Sequence, residues 1–349
     1  MFDTPQLSGA GPVASLEAKL REYYGKRYAL CVSNATTGLL ILGLALELRN
    51  SHFLTTPITW GGSLAGWLIL GNHPRFGDVD PMTLTLDSKS LHRIIAPSTR
   101  AILAVDIDGN PSDDRSLREF ADQHHLWYIA DAAQSLGARR EGRPASSMAH
   151  ALVVSFTAGK TIDAGEGGAI MTDDEEIFGR LVWFGQHPLR QHREIGIENQ
   201  FALNARIHPT AAVLADRGFL ASLQRLRTRQ KWYLKLAEAL NEMGLTETLD
   251  FAEGGIEPAF ARFTAAWRGR PNELELRSYL AERHWKAELL SGGVSLLVNQ
   301  PAFEAEYGSF VPSPLAYPTA RRQAKRRFLV VKKNLSMYSK SRRSPEWAR

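Results

Sequence analysis

The stretch Leu152-Val153-Val154-Ser155-Phe156-Thr157-Ala158-Gly159-Lys160 runs from an apolar, β-branched pattern into a single lysine. Gly165-Glu166-Gly167-Gly168 follows closely and leads into Ala169-Ile170-Met171-Thr172. Short continuous apolar runs bounded by turn residues predict strands buried on both faces. A lysine among small residues just past such a strand can lie in a cleft. Desolvation there disfavours the ammonium form and frees the amine as a nucleophile. Taken singly, such a lysine is more commonly a surface residue. The clustered glycines fit a tight turn where backbone passes close to another group, or equally a plain connection.

The same pattern recurs outward from this stretch. Predicted strands at 28–32, 52–56, 75–79, 101–107 and 127–130 precede those at 152–156 and 168–172. Helical stretches lie between several of them. One covers 15–23 with Ser15 as its N-cap, one follows Ser33-Asn34-Ala35-Thr36-Thr37 through Leu46, and one covers 116–124. Strands alternating with helices predict an α/β fold, with a mostly parallel seven-stranded sheet flanked by helices on both faces. After Thr210 the pattern changes to a long helix at 211–243, stopped by Gly244, then short strands such as 260–266 and a helix at 272–283. This predicts a large domain over 1–228 and a smaller C-terminal α+β domain over 229–349.

Composition narrows the class. The 349 residues are 44% hydrophobic and 23% charged, which is ordinary for a globular chain. No apolar run approaches the ~18 residues of a membrane span, and Met1-Phe2-Asp3-Thr4-Pro5 has no secretory pattern. The lone Cys31 excludes an intrachain disulfide and a cysteine metal cluster. A cytoplasmic protein without a metal site or a membrane partner is expected. The net charge of +5 is uneven, because the segment 321–349 holds eleven Lys/Arg against Glu346. A basic tail can bind nucleic acid, and a non-catalytic regulator using it is one reading. With no base-reading motif, a solvated end segment is the simpler one, and no nucleic-acid partner is expected.

In open α/β sheets, ligands bind at the carboxyl ends of the strands. Four features fall at ends of predicted strands: Ser33–Thr37 opening a helix, Asp131-Ala132-Ala133-Gln134, the segment ending in Lys160, and Gly165–Gly168. A helix start with small and hydroxyl residues can take an anion or be an ordinary cap. A carboxylate at the end of a buried strand is costly unless paired, or it caps a helix. Together they suggest a pyridoxal phosphate site, with a Schiff-base lysine, a carboxylate for the pyridine nitrogen and a phosphate cradle.

On these motifs and their order, the chain resembles the DegT/DnrJ/StrS family of pyridoxal phosphate-dependent sugar aminotransferases, of fold type I. The similarity runs from about Leu16 to about Gly218. It is carried by Tyr28–Thr36, Asp78-Val79-Asp80-Pro81, Asp131–Gln134, Ser155-Phe156 with Lys160, Gly165–Gly168 and Asn204-Ala205-Arg206. The resemblance implies that Lys160 forms the Schiff base and moves the α-proton, and that Asp131 keeps the ring nitrogen protonated. It implies that Gln134 bonds the ring's 3-oxygen, that Ala35, Thr36 and Ser155 bind the phosphate, and that Trp60 covers the ring. Asn204 would reach the phosphate of a neighbouring subunit, which implies a homodimer with shared sites. The implied reaction moves an amino group from glutamate or glutamine to a carbonyl acceptor, a keto-sugar or a specialised-metabolite intermediate. The alternative is another reaction on the same fold: elimination, decarboxylation or retro-aldol cleavage. A dehydrating branch replaces the lysine with histidine, and Lys160 argues against it.

Three departures stand out. Ala149-His150 replaces a usual Gly-Asp, Asp106-Ile107-Asp108-Gly109 replaces a segment carrying His and Tyr, and the segment 330–338 ends in Ser336 and Tyr338 where Pro and His are usual. His124-His125 read as surface residues. His187, His192 and His208 are candidates for the acceptor pocket, and Arg190, Arg193 and Arg206 for holding a carboxylate or phosphate.

Overall fold

Runs of Val, Ile, Leu and Ala too short for helices and apolar on both faces form the centre of the molecule. The computed structural model describes residues 9–252, 254–285, 287–290, 294–310 and 316–332. The strands are β1 (Tyr28–Val32), β2 (His52–Thr55), β3 (His73–Phe76), β4 (Thr99–Val105), β5 (Trp127–Asp131), β6 (Arg139–Arg140), β7 (Arg143–Pro144), β8 (Ala151–Ser155) and β9 (Gly168–Thr172). Seven of them form one sheet in the order β1-β9-β8-β5-β4-β2-β3. Pairing is parallel from β8 through β5, β4 and β2 to β3, and only β9 runs antiparallel to its neighbours. All seven strands expected from the sequence are present. The third lies earlier than expected, because the chain leaves the sheet at Gly77.

The helices α1 (Pro12–Tyr24), α2 (Ala35–Ala45), α3 (Gly61–Ile69), α4 (Ser88–Leu91), α5 (Asp114–Gln123), α6 (Glu175–Gly185), α7 (Pro188–Ile195) and α8 (Pro209–Met243) follow or cover the strands. Helix α1 begins at Pro12, not at Ser15, since proline suits the first helical position. Ser15 Oγ instead donates to Asp216 Oδ1 on α8, 2.7 Å away. Helix α2 starts at Asn34, whose side chain accepts from Thr37 N at 2.8 Å. It packs so closely on the sheet that a Cβ on Gly38 would lie 3.2 Å from Val153 and 3.3 Å from Ile170. Each face of the sheet carries its own apolar core.

Helix α8 passes from one core to another. Phe219 packs on the large sheet, while Tyr233 opens a third core that reaches Val330. Beyond it come β10 (Ile256–Glu257), β11 (Phe263–Ala266), α9 (Glu273–Glu282), β12 (Ala287–Leu290), α10 (Pro301–Tyr307), α11 (Pro318–Arg326) and β13 (Arg327–Lys332). We propose that the division expected near residue 228 is a division of cores, with residues 294–320 returning to the large one. Val294, Leu297, Phe303, Tyr317 and Ala320 share the core of the large sheet. Asp78 of the Asp78–Pro81 motif accepts from Thr319 N and Ala320 N at the start of α11.

The basic segment is not wholly a solvated end. Strand β13 is the central strand of the small sheet β11-β13-β12. Arg327 is buried; its guanidinium donates to Thr264 Oγ1, Gln323 Oε1 and the carbonyl of Met82, each at 2.9 Å. Burial pulls its pKa down to about 10. Residues 333–349, including Ser336 and Tyr338, lie outside the described residues. Among the described residues, no helix is long and apolar enough to cross a membrane, and no group of three or more His, Cys, Asp or Glu could hold a metal ion.

Candidate active site

Parallel strands deliver β5 and β8 to the same edge of the sheet, which brings Asp131 and Lys160 close enough for each charge to act on the other. Asp131 ends β5 and is buried, with Oδ1 accepting from Ala133 N at 3.0 Å. Ser63, near the start of α3, hydrogen-bonds the same carboxylate. Burial raises the carboxyl's pKa, against the pull of Ser63, Ala133 and the Lys160 charge. Lys160 lies in the turn after β8, its backbone N–H donating to Thr157 O at 3.1 Å. Asp163 ties the turn by accepting from Gly159 N at 2.9 Å and from Gly165 N at 3.1 Å. Burial lowers the pKa of the Lys160 amine, Asp131 opposes this, and the Arg262 charge adds to the lowering. Such an amine loses its proton more readily than an exposed lysine.

Beside these two groups the start of α2 meets the end of β8. A Cβ on Gly168 would lie 2.7 Å from Val154 O and 2.9 Å from Ala35 N, both backbone atoms. Only glycine permits that approach of the start of α2 to the end of β8. The Ser155 hydroxyl donates to Thr157 Oγ1 at 3.0 Å. At the mouth, a Cβ on Gly62 would lie 2.8 Å from Thr36 Oγ1 and 3.0 Å from the Trp60 ring. Trp60 is 72% exposed. Gln134 Oε1 accepts from Asp108 N at 2.8 Å, which leaves the amide NH2 as a donor.

Asn204 is exposed at φ +53° in the loop between α7 and α8. Its neighbours Phe201 (97% exposed) and Leu203 are open as well. The structure therefore gathers Ala35, Thr36, Trp60, Asp131, Gln134, Ser155 and Lys160 at one edge, and leaves Asn204 on an uncovered apolar strip.

Several other candidates hold the protein together. Arg190 is buried, with Nη1 and Nη2 on the two carboxylate oxygens of Glu17 at 2.9 and 3.0 Å and Nε on Glu194 at 2.9 Å. It is not free to hold a substrate anion. Arg193 reaches Gly9 O and Glu194. His187 and His208 cap α7 and α8 by accepting from Leu189 N and Thr210 N. His124 is half-buried against Phe120, ring centres 4.4 Å apart, rather than a surface residue.

Two of the three departures have structural accounts. His150 Nδ1 accepts from Tyr128 N at 2.9 Å, and burial keeps the ring neutral with a pKa of about 4. Asp106 accepts from Ser112 N and from the hydroxyls of Ser112, Ser135 and Ser146, at 2.6–2.8 Å. Asp108 pairs with Arg262, Nε to Oδ1 at 2.6 Å. Sequence reading missed Ser63 and Arg262. Ser63 looks like any polar residue in a helix start, and Arg262 meets Asp108 across 154 residues.

The model of the DegT/DnrJ/EryC1/StrS aminotransferase family matches residues 4–314. The UDP-2-acetamido-2-deoxy-3-oxo-D-glucuronate aminotransferase of Pseudomonas aeruginosa is 27% identical over 297 residues, covering 83% of this chain and 77% of that protein. The GDP-perosamine synthase of Caulobacter vibrioides is 31% identical over 182 residues, covering 52% of this chain and 49% of that protein. Among solved structures, an aminotransferase from Psychrobacter cryohalolentis superposes with a TM-score of 0.81 at 21% identity, covering 94% of this chain and 88% of the other.

Proposed function

Since the chain belongs to the DegT/DnrJ/EryC1/StrS family and is a pyridoxal phosphate-dependent aminotransferase, we propose that it moves an amino group from glutamate or glutamine to the carbonyl of a nucleotide-linked keto-sugar. The observation that carries this reading is the Lys160 amine, made less basic by burial, within electrostatic reach of the buried Asp131 carboxylate. The two curated relatives, both sugar-nucleotide enzymes by name, support the acceptor class.

The residues fit the cofactor. A partly desolvated amine, a buried carboxylate and a helix start beside a serine hydroxyl match its aldehyde, ring nitrogen and phosphate. Bound there, pyridoxal phosphate supplies an electrophilic carbon and a ring that takes up the charge left by the donor's α-proton.

Lys160 holds the aldehyde carbon at rest. With the donor bound to the cofactor, the free Lys160 amine would accept the proton from the donor's α-carbon. Asp131 keeps a proton on the ring nitrogen, and Ser63 and Ala133 N hold its carboxylate in place. The Gln134 NH2, its oxygen engaged by Asp108 N, donates to the ring's 3-oxygen. The N–H groups at Ala35 and Thr36, with the Thr36 and Ser155 hydroxyls, bind the phosphate. Trp60 covers the ring at the mouth and limits water. Asn204, on its strip with Phe201 and Leu203, completes the phosphate site of a second copy in a homodimer.

The test is direct. Mixed with glutamate or glutamine, the purified holoprotein is expected to yield pyridoxamine phosphate, measured by chromatography after denaturation. Lys160→Ala is expected to abolish both that product and the visible absorbance of the bound cofactor. A borohydride-reducible Schiff base in Lys160→Ala would sink the assignment of the lysine. Failure of every amino donor to yield pyridoxamine phosphate would sink the proposed half-reaction.

A further inference from the structure

We propose that Arg262, held in place by Asp108, binds the α-carboxylate of the amino donor and so selects an α-amino acid for the first half-reaction. This rests on the transamination reading above and adds a donor site to it.

The placement comes from the backbone. At the end of β4 the chain turns through Asp108 at φ +60° and Gly109 at φ +84°. The loop 259–262 closes on that turn: Ala259 N donates to Gly109 O at 2.8 Å and Arg262 N to Asp108 O at 3.2 Å. A Cβ on Gly109 would lie 2.9 Å from both Ala261 N and Gln134 O. No side chain fits between the loop and the cofactor-facing segment. Arg262 is thereby fixed to the same turn that orients Gln134.

The side chains then divide their work. Asp108 is 1% exposed and takes the Nε of Arg262 on Oδ1, while its Oδ2 is buried with no hydrogen-bond partner among the described residues. Burial pushes the Asp108 carboxyl's pKa up, and Arg262, Arg327 and Thr264 oppose that, so the group is a fixed anchor for the arginine. Arg262 itself is 46% exposed, and its two terminal nitrogens make no hydrogen bond among the described residues. A guanidinium anchored through Nε keeps its terminal edge free for a carboxylate in the bidentate geometry that suits it.

Position selects the donor's carboxylate over a more distant anion. Arg262 is fixed through Asp108 to the turn that meets Gln134, on the side of the sheet edge that carries Lys160, and its charge opposes protonation of that amine. The donor's amine takes the place that Lys160 vacates, and its α-carboxylate carbon lies about 2.5 Å from that nitrogen by standard bond lengths. A cation fixed on the Gln134 side of the same edge faces this group. Docking the carboxylate also neutralises Arg262, which relieves the field on Lys160 and makes its amine a better acceptor for the α-proton.

Two ligands of the holoprotein separate the possibilities: L-glutamate, and propylamine, which has the amine and no carboxylate. Both are titrated against the visible absorbance of the bound cofactor. Calorimetric titration with glutarate, which carries no amine, gives a second readout. Arg262→Ala is expected to raise the half-saturating glutamate concentration by about 10–100-fold, the range for lost charge-assisted hydrogen bonds, and to weaken glutarate in parallel. The propylamine value is expected to stay within about twofold.

Asp108 is a positioning residue. Asp108→Ala is expected to weaken glutamate, while Asp108→Asn, which keeps an acceptor for Nε, recovers most of the affinity. Equal shifts for glutamate and propylamine, or no shift in either, overturn the proposal. If glutamate binds in an Arg262-dependent way but yields no pyridoxamine phosphate, the carboxylate site stands and the transamination reading falls. If pyridoxamine phosphate forms with an affinity independent of Arg262, the reverse holds.

Discussion

Replacing Arg190 by leucine tests whether this arginine is architecture or substrate machinery. Its guanidinium is 2% exposed and makes three charge-assisted bonds, two to Glu17 and one to Glu194. Burial alone would lower its pKa, but the two carboxylates carry it above the usual arginine value; Glu17 in turn is pushed up by its own burial, with Arg190 and Cys31 N opposing. Glu17 cannot swing out to water when Arg190 is lost, because the same Oε1 accepts from Cys31 N in β1 at 2.7 Å. The stranded charge stays inside. Removing one partner of a buried pair costs about 3–5 kcal/mol, and this anchoring places Arg190→Leu toward the upper end. Equilibrium urea unfolding reads the loss. Adding Glu17→Gln, which removes the charge and keeps an acceptor for Cys31 N, is expected to restore most of it. The half-saturating glutamate concentration is expected to stay unchanged. A loss under about 1 kcal/mol, or a fall in glutamate affinity at intact stability, would refute this account of Arg190.

Asp131→Asn is expected to slow formation of pyridoxamine phosphate by more than about 100-fold, as for other single electrostatic groups at a reacting centre; near-normal single-turnover rates would remove its role at the ring nitrogen. Two buried groups tilt stability with pH in opposite directions. His150, at about 4 in the fold, contributes stability that is full above its unfolded pKa of about 6.5 and is lost as pH falls toward 4. Asp114, raised by burial from 3.8 to about 7 and bonded to the Tyr128 hydroxyl, contributes stability that is full below 3.8 and is lost as pH rises toward 7. In urea unfolding between pH 4 and 6.5, His150→Asn should therefore make stability fall more steeply with rising pH, and Asp114→Asn should make it rise. Matching slopes in both variants would show that neither group titrates as described.

Much of the fold was legible because its signals are local. A strand buried on both faces must be apolar throughout, so the runs around Val153 and Ile170 mark strands wherever they pair. A proline at Pro12 and an asparagine at Asn34 act within their own helix ends, although the serine at position 15 drew the first helix start three residues late. Lys160 and Asp131 were legible for a related reason. Each is a polar group at the end of an apolar strand, and parallel pairing places such ends on one edge.

What the linear chain determined was therefore the set of elements, their order and the residue types at their ends. The folded structure alone decided which distant charges meet. Arg190 turned inward to Glu17, Arg327 left the basic segment for the interior, and Arg262 met Asp108 on the turn that orients Gln134. The physical reason is range. Apolar periodicity and end capping act over a few residues along the chain, whereas an ion pair depends on distance through space and on desolvation. Both are set only by the folded chain, as where the loop 259–262 closes on the turn after β4 and brings Arg262 to Asp108.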